Sequence, residues 1–399
     1  MRFKIERGEG GVCAVGGVRA YGVKEGKNGL ALIVGDLKEN ASAVGVFTMN
    51  KVKAAPVQLT QTRLEQSGRL AAIVANSGCA NSFTGEEGLK NAERMTELAA
   101  YRLGVLESEV GVASTGIIGK PLDMPLIERQ IEEVSEKLTS SREGSAAAAR
   151  AIMTTDTFSK EVAVGIHSEG TELRIGGIAK GAGMIFPHLA TMLAFIWTDA
   201  QLNRHELKAC LKRAVDRSFN MIVVDGDMST NDTVLLAATG AKEADAEAFQ
   251  QGLSYVCETL AKMIARDGEG ATKFVEVRVE GAASYDDARK AARAVARSPL
   301  VKCSIYGESP NFGRIVAAVG AAGVELNESQ LSVVFEDIGG RFGGVRLVSG
   351  GRLVAANLND AKRVLQTKEL RIVVSLGVGT HTATAWGCDL SPEYVKLNL

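Results

Sequence analysis

The 399-residue sequence predicts a mixed α/β protein, and three observations carry that prediction. Apolar residues recur at helical spacing in several separate segments. Short runs rich in Val, Ile and Leu interleave with those segments. The 44 glycines against 7 prolines suit tight turns joining strands to helices and argue against long extended linkers.

Taken in order, Leu30 to Val34 and Ala71 to Ala75 read as strands. Ala92, Met95, Ala99 and Leu103 then form a helical stripe. Ile127, Ile131, Val134 and Leu138 recur at spacings of 4, 3 and 4, behind Asp123 as a cap and Pro125 in the first turn. Ala146 to Ala149 belong to an alanine-rich helix. Met192 to Trp197 and Met221 to Val224 read as further strands. Phe249, Leu253, Val256, Leu260 and Ile264 form the longest stripe, which stops at Asp267-Gly268. Val275, Val277 and Val279 alternate with Glu276, Arg278 and Glu280, the period of a half-buried strand, and Arg371 to Leu376 is a last strand. The best boundary lies near Gly270 to Lys273, where the long helix gives way to the alternating strand. It divides the chain into a main domain, 1–270, and a C-terminal α/β domain, 271–399.

Composition removes several function classes. Charge is balanced, 46 Lys plus Arg against 47 Asp plus Glu, so the electrostatic motive for nucleic-acid binding is missing. With 46% hydrophobic and 23% charged residues, the chain has the make-up of a folded soluble protein. No apolar run approaches the roughly 18 residues of a membrane span. The start, Met1 to Arg7, reaches charge at once and lacks the apolar stretch of a signal peptide. Six scattered cysteines without a CxxC read as reduced thiols of a cytoplasmic protein, Cys79 and Cys303 as packed ones. Four histidines without HxxxH or HExxH spacing argue against a zinc enzyme.

One window stands apart, Gly176 to Phe195, with four glycines in its first eight residues and Thr191 at the head of an apolar segment. By pattern alone it is a glycine turn feeding a buried strand, with Thr191 capping or packing, and it matches no phosphate-loop spacing. Taken singly, other residues also have plain readings. Lys180 would be a solvated turn lysine, Thr115-Gly116 a strand-end turn, Thr154 a helix-end hydroxyl and Glu269 a solvent-facing turn residue.

The string Lys180-Gly-Ala-Gly-Met184 followed by Ala190-Thr191-Met192-Leu193 resembles the glutamate N-acetyltransferase family, also called ornithine acetyltransferases, of arginine biosynthesis. Collinear blocks extend the resemblance over almost the whole chain. They include Asn50 to Val57, Asn76-Ser77-Gly78, Ser114 to Gly119, Met153 to Thr157 and Asp225-Gly226-Asp227. Thr230-Asn231-Asp232-Thr233, Arg266 to Lys273, Gly313-Arg314-Ile315 and Ala383 to Leu390 complete the series. The resemblance implies an N-terminal-nucleophile-like layered sandwich, sheets packed between helices, with a smaller C-terminal α/β domain.

It also implies self-processing between Ala190 and Thr191, giving an α fragment 1–190 and a β fragment 191–399. The chemistry is coherent. A threonine hydroxyl is a poor nucleophile that needs a base, and scission frees an α-amine on the same residue. The ordinary pKa of such an amine, about 7.7–8.0, suits proton transfer near neutrality, so no histidine is required. His188 then belongs to a connecting turn. Thr191 would carry the acetyl group from N2-acetylornithine to glutamate, and Thr115 and Gly116 match the family's oxyanion pair. Thr154, Lys180, Thr191, Glu269 and Asn398 match its substrate contacts, with Lys180 as partner of a substrate carboxylate and Glu269 of an ammonium. No cofactor or metal is implied. Some members also accept acetyl-CoA as donor, and no separate CoA motif is readable here. Paired fragments in an α2β2 assembly are what the resemblance suggests, with neither nucleic acid nor membrane as partner.

The chain departs from the family pattern in three places. Members usually continue past the position of Asn398 and end in a hydroxyl residue that helps close the pocket, whereas Leu399 ends this sequence. Ser309 stands where an acidic residue is usual, and Phe312 where Trp is usual. Two rival readings stay open. One is a self-processed amidase or aminopeptidase in which water takes the acyl group. The other is a non-catalytic protein that kept the fold, which would be marked by loss of the nucleophile or the oxyanion pair.

Overall fold

Apolar stripes become helices and β-branched runs become strands in the computed structural model, which describes residues 3–168, 171–186 and 192–399. The strands are β1 (Phe3–Gly8), β2 (Val18–Glu25), β3 (Asn28–Gly35), β4 (Ser42–Phe47), β5 (Ala72–Ser77), β6 (Val110–Ser114), β7 (Lys160–Ser168), β8 (Thr171–Lys180), β9 (Leu193–Gln201) and β10 (Ile222–Val223). They continue with β11 (Thr233–Glu243), β12 (Phe274–Ala282), β13 (Ser332–Asp337), β14 (Val345–Ser349), β15 (Arg352–Leu353), β16 (Glu369–Ser375) and β17 (His381–Cys388). The helices are α1 (Ala55–Ser67), α2 (Gly85–Leu103), α3 (Met124–Glu136), α4 (Arg142–Ala151), α5 (Arg204–Asp216) and α6 (Ala246–Arg266). Beyond them come α7 (Tyr285–Arg297), α8 (Pro299–Tyr306), α9 (Phe312–Gly320), α10 (Leu358–Leu365) and α11 (Pro392–Leu397). The chain divides into two compact units, Met1–Asn220 with Asp227–Ile264, and Met221–Gly226 with Ala265–Leu399.

The first unit is layered. Its strands form one sheet in the order β1-β7-β8-β9-β11-β4 and another in the order β2-β3-β5-β6. Strand β3 shows why the layers stack, because both of its faces are apolar. Ala31 and Ile33 join a core with Ile178, Phe195, Trp197 and Leu235 of the larger sheet. Leu30, Leu32 and Val34 join a second core with Ala92, Met95 and Ala99 of α2 and Ile127, Ile131 and Val134 of α3. The stripes read from the sequence are therefore the inner faces of α2 and α3. Asp123 caps α3 as expected, its Oδ1 accepting the Leu126 N–H at 3.2 Å. On the far side of the larger sheet, Gly177 of β8 leaves room for Leu260 and Val256 of α6, whose stripe from Phe249 to Ile264 is fully buried.

Glycine is forced by packing at the end of β3. A Cβ on Gly35 would lie 2.2 Å from Cζ3 of the buried Trp197 ring. An indole wedged between two sheets has no room to yield, so Gly35→Ala is expected to cost about 1–3 kcal/mol as an overpacking change. A shift in urea midpoint at constant m-value measures it.

In the second unit the sheet order is β10-β17-β12-β16-β13-β14-β15. Val275, Val277 and Val279 of β12 are buried, and the Ala288, Ala291, Ala292 and Val295 face of α7 is buried as well. The alternation in β12 breaks at Glu276, which is buried although it stands on the polar face. Its carboxylate pairs with Arg371 of β16 and accepts the Trp386 Nε1–H of β17 at 3.0 Å. Two further expectations are corrected. Met221 to Val224 supplies only the short strand β10, which hydrogen-bonds to β17 in parallel at Trp386 and Gly387. Cys303 is exposed rather than packed, because α8 turns Val301, Lys302, Ser304 and Ile305 inward and leaves that position on the outer side. Among the described residues no helix is long and apolar enough to cross a membrane.

Candidate active site

The two ends of the expected cleavage site, Ala190 and Thr191, lie outside the described residues, as does His188. Strand β8 ends at Lys180 and β9 begins at Leu193, and the two residues are paired in an antiparallel ladder. Lys180 is not in a glycine turn and not solvated, which corrects the plain reading of that window. It is the last residue of a buried strand and only 2% exposed. Gly176 and Gly177 are strand residues too, and a Cβ on Gly176 would fall 1.9 Å from the Gly11 carbonyl oxygen.

A buried polar cluster forms around the Lys180 ammonium. Lys180 Nζ donates to Thr154 Oγ1 at 2.7 Å and to Thr115 Oγ1 at 3.3 Å, and it lies 3.9 Å from Asp156 Oδ2. Asp156 follows α4 in the same loop as Thr154. It accepts Lys160 Nζ at 2.7 Å, the Gly181 N–H at 2.7 Å and the Thr154 N–H at 3.0 Å. Burial alone would push the Asp156 carboxyl up, yet Lys180 and Lys160 together hold it well below the usual carboxylate range. One carboxylate thus serves two buried ammonium groups. Neither Asp156 nor Lys160 is given a role by the sequence pattern. The only signal was an opposite-charge pair at i,i+4 with no helix to explain it.

Thr115 and Gly116, the expected oxyanion pair, follow directly on strand β6. Thr115 is 2% exposed, and its N–H donates to Asn76 O at 3.0 Å, while the Ile117 N–H donates to Gly78 O at 3.4 Å. The Gly116 N–H between them has no acceptor among the described residues. Gly116 has φ +131°, and a Cβ there would lie 2.3 Å from the Gly78 carbonyl carbon and 2.6 Å from the Cys79 nitrogen. The turn therefore requires glycine, and it leaves the Gly116 N–H beside the Thr115 hydroxyl.

Glu269 and Asn398 meet within the second unit. Asn398 Nδ2 donates to Glu269 Oε2 at 2.9 Å and to the Tyr394 carbonyl at 2.9 Å. Helix α11 is held against the 270–273 segment: Ser391 Oγ donates to Gly270 O at 2.5 Å. Thr272 N–H and Lys273 N–H donate to Asp389 Oδ1 at 2.8 and 3.0 Å. Of the residues singled out in the sequence, Thr115, Gly116, Thr154 and Lys180 gather in the first unit and Glu269 and Asn398 in the second. Among the described residues no group of three or more His, Cys, Asp or Glu side chains is placed to hold a metal ion.

With this geometry in view, the ArgJ family model matches residues 15–399. The chain belongs to the ArgJ family. It is 49% identical over 396 residues to the glutamate N-acetyltransferase of Methanosarcina mazei, covering 98% of each chain. It is 46% identical over 404 residues to the arginine biosynthesis bifunctional protein ArgJ of Symbiobacterium thermophilum, again covering 98% of each. A solved chain of the arginine biosynthesis bifunctional protein ArgJ from Bacillus halodurans aligns with a TM-score of 0.48 at 37% identity, over 51% of this chain and 97% of that one. The match spans both units and takes in Thr115, Gly116, Thr154, Lys180, Glu269 and Asn398.

Proposed function

We propose that this ArgJ-family chain is a glutamate N-acetyltransferase that processes itself before Thr191 and moves the acetyl group of N2-acetylornithine to glutamate. The hydrogen bond from Lys180 to Thr115 is the observation that carries the reading. By occupying an Oγ1 lone pair, the ammonium leaves the Thr115 hydroxyl proton to point elsewhere and makes it a stronger donor. Beside it stands the unengaged Gly116 N–H. Together they are donors suited to the oxygen of a tetrahedral acyl intermediate.

In the first half-reaction the Thr191 hydroxyl attacks the acetyl carbonyl, and its proton passes to the α-amine freed by scission. The C–N bond then breaks, ornithine leaves with that proton, and an acetyl ester remains on Thr191. Glutamate's amine attacks the ester, the oxyanion pair serves again, and N-acetylglutamate departs as Thr191 recovers its proton. No cofactor enters this cycle. Glu269, held by Asn398, is the acidic group for a substrate ammonium. Lys180 already has Asp156 as counter-charge, so its larger part is to polarise Thr115, with any attraction for a substrate carboxylate added to that.

The fragments 1–190 and 191–399 would stay together after scission, because β8 belongs to one and β9 to the other and their ladder runs from Ile175↔Thr198 to Lys180↔Leu193. An α2β2 assembly in the cytoplasm is the form in which we expect the enzyme to work, and all six cysteines are free thiols.

Incubation with N2-acetylornithine and glutamate tests the reading. Ornithine and N-acetylglutamate are expected in equal amounts, with little free acetate. Stoichiometric acetate without N-acetylglutamate would instead mark a hydrolase. Acetyl-CoA in place of N2-acetylornithine tells whether a thioester also serves as donor. Lys180→Met nearly conserves volume and leaves Asp156 paired with Lys160. It is expected to change stability by less than about 1.5 kcal/mol and to lower kcat by about 100-fold, the scale of one lost oxyanion donor. Steady-state kinetics beside thermal unfolding separate the two effects.

A further inference from the structure

The segment before β11 ties the strand that starts beside Thr191 to the turn that carries the oxyanion pair. Asp232 is completely buried. Its Oδ1 accepts the Met192 N–H at 3.1 Å, and the next residue, Thr233, donates its N–H to the Met192 carbonyl at 3.1 Å. Met192 is thus held on both of its peptide groups, one bond away from the nucleophilic residue. Asn231 faces the other way. Its Nδ2 donates to Ser114 O at 2.9 Å and to Ala80 O at 2.6 Å, and its Oδ1 accepts the Thr230 hydroxyl at 2.6 Å. Ser114 is the residue directly before Thr115. Thr48 braces the segment, donating its hydroxyl to Ser229 O at 2.7 Å and its N–H to Asp232 O at 3.0 Å.

We propose that Asn231-Asp232 is a positioning dipeptide for acyl transfer, whose two side chains fix the residue after the nucleophile and the residue before the oxyanion threonine in one register. This rests on the reaction proposed above and adds to it two residues that touch neither substrate nor the reacting atoms. The physical need is clear. The strand that follows the nucleophile in sequence, β9, and the strand that leads into the oxyanion donors, β6, belong to different sheets, and an error of about 1 Å between nucleophile and donors costs on the order of 100-fold in rate. Two neighbouring side chains directly before β11 form a short tether between them. Burial pushes the Asp232 carboxyl well above its ordinary value. In its neutral form it still offers a carbonyl oxygen to the Met192 N–H, so the role is that of an acceptor.

Two variants test the assignment. Asp232→Asn keeps an oxygen where Met192 needs it; scission is expected to go to completion, with kcat within about tenfold of wild type. Asp232→Ala removes the acceptor; kcat is expected to fall by about 100-fold or more with KM nearly constant, and scission to slow, in protein that keeps its folded circular dichroism. Full activity in Asp232→Ala would overturn the proposal. So would a folded Asp232→Asn that neither cleaves nor turns over, because the carboxyl proton rather than the acceptor would then carry the role. If Asp232→Ala does not fold, Asn231→Ala, which releases the Ser114 and Ala80 carbonyls at the other end of the tether, takes its place with the same expected fall in kcat, and full activity in it would overturn the proposal. A wild type that stays uncleaved and transfers no acetyl group would sink the proposed reaction itself, a result distinct from a cleaved, active wild type indifferent to Asp232.

Discussion

Replacing Asp156 with asparagine is expected to cost about 3–5 kcal/mol of folding free energy, because it strips the counter-charge from a buried ammonium pair. Lys160 is fully buried and Lys180 nearly so, and both lean on this one carboxylate at 2.7 and 3.9 Å. An amide keeps an acceptor for the Gly181 N–H but removes the negative charge that faces both ammonium groups. A loss of that size is a large share of the roughly 5–15 kcal/mol that holds a typical domain folded. The pH dependence gives a second readout. A carboxyl whose folded value is depressed contributes stability that is complete above its unfolded value, 3.8, and that fades as pH falls toward the folded one. The stability gap between wild type and Asp156→Asn is therefore expected to be flat from neutrality to about pH 5 and to narrow only below that. Urea titrations at a series of pH values measure it. A gap that shrinks already between pH 7 and 6 would show that the carboxylate is not held down by the two lysines.

Gly116→Ala is expected to give the largest loss of activity among single methyl additions, about 100- to 1000-fold in kcat, the scale of one oxyanion donor removed. The added carbon cannot be accommodated by a side-chain movement, because what it strikes is backbone, the Gly78 carbonyl carbon and the Cys79 nitrogen. The turn must open, and the Gly116 N–H moves with it. Strain at a positive φ adds a cost in stability of about 1 kcal/mol or more. Rapid-quench measurement of acetyl-enzyme formation reads the chemical step alone. An unchanged burst rate in Gly116→Ala would remove this N–H from the mechanism.

The stripes of α2, α3 and α6 were legible because each faces a single apolar surface, so period and burial agree except at Leu103, half-buried at the end of α2, and Leu138, half-buried two residues beyond α3. Glu276 was not, since its burial depends on Arg371 and Trp386, partners brought in from strands far along the chain. The same limit governs the site. Thr115, Thr154 and Lys180 could be named singly, but their meeting at one ammonium joins the end of β6, the loop after α4 and the end of β8, and no local spacing encodes that. Asp156 and Asp232 stood inside recognisable blocks and still carried no role, because an acid's part in a site is set by what surrounds it. Cys303 misled for a simpler reason: in a short helix a cysteine faces inward or outward by register, and apolar character does not decide which.

Intact mass measurement of purified wild type beside Thr191→Ala tests the account most directly. Two species are predicted for the wild type, residues 1–190 and 191–399, summing to the precursor plus one water, with the second gaining an acetyl group on exposure to N2-acetylornithine. Thr191→Ala is predicted to remain one chain without that adduct. A fully active wild type that consists of a single uncut chain would contradict it.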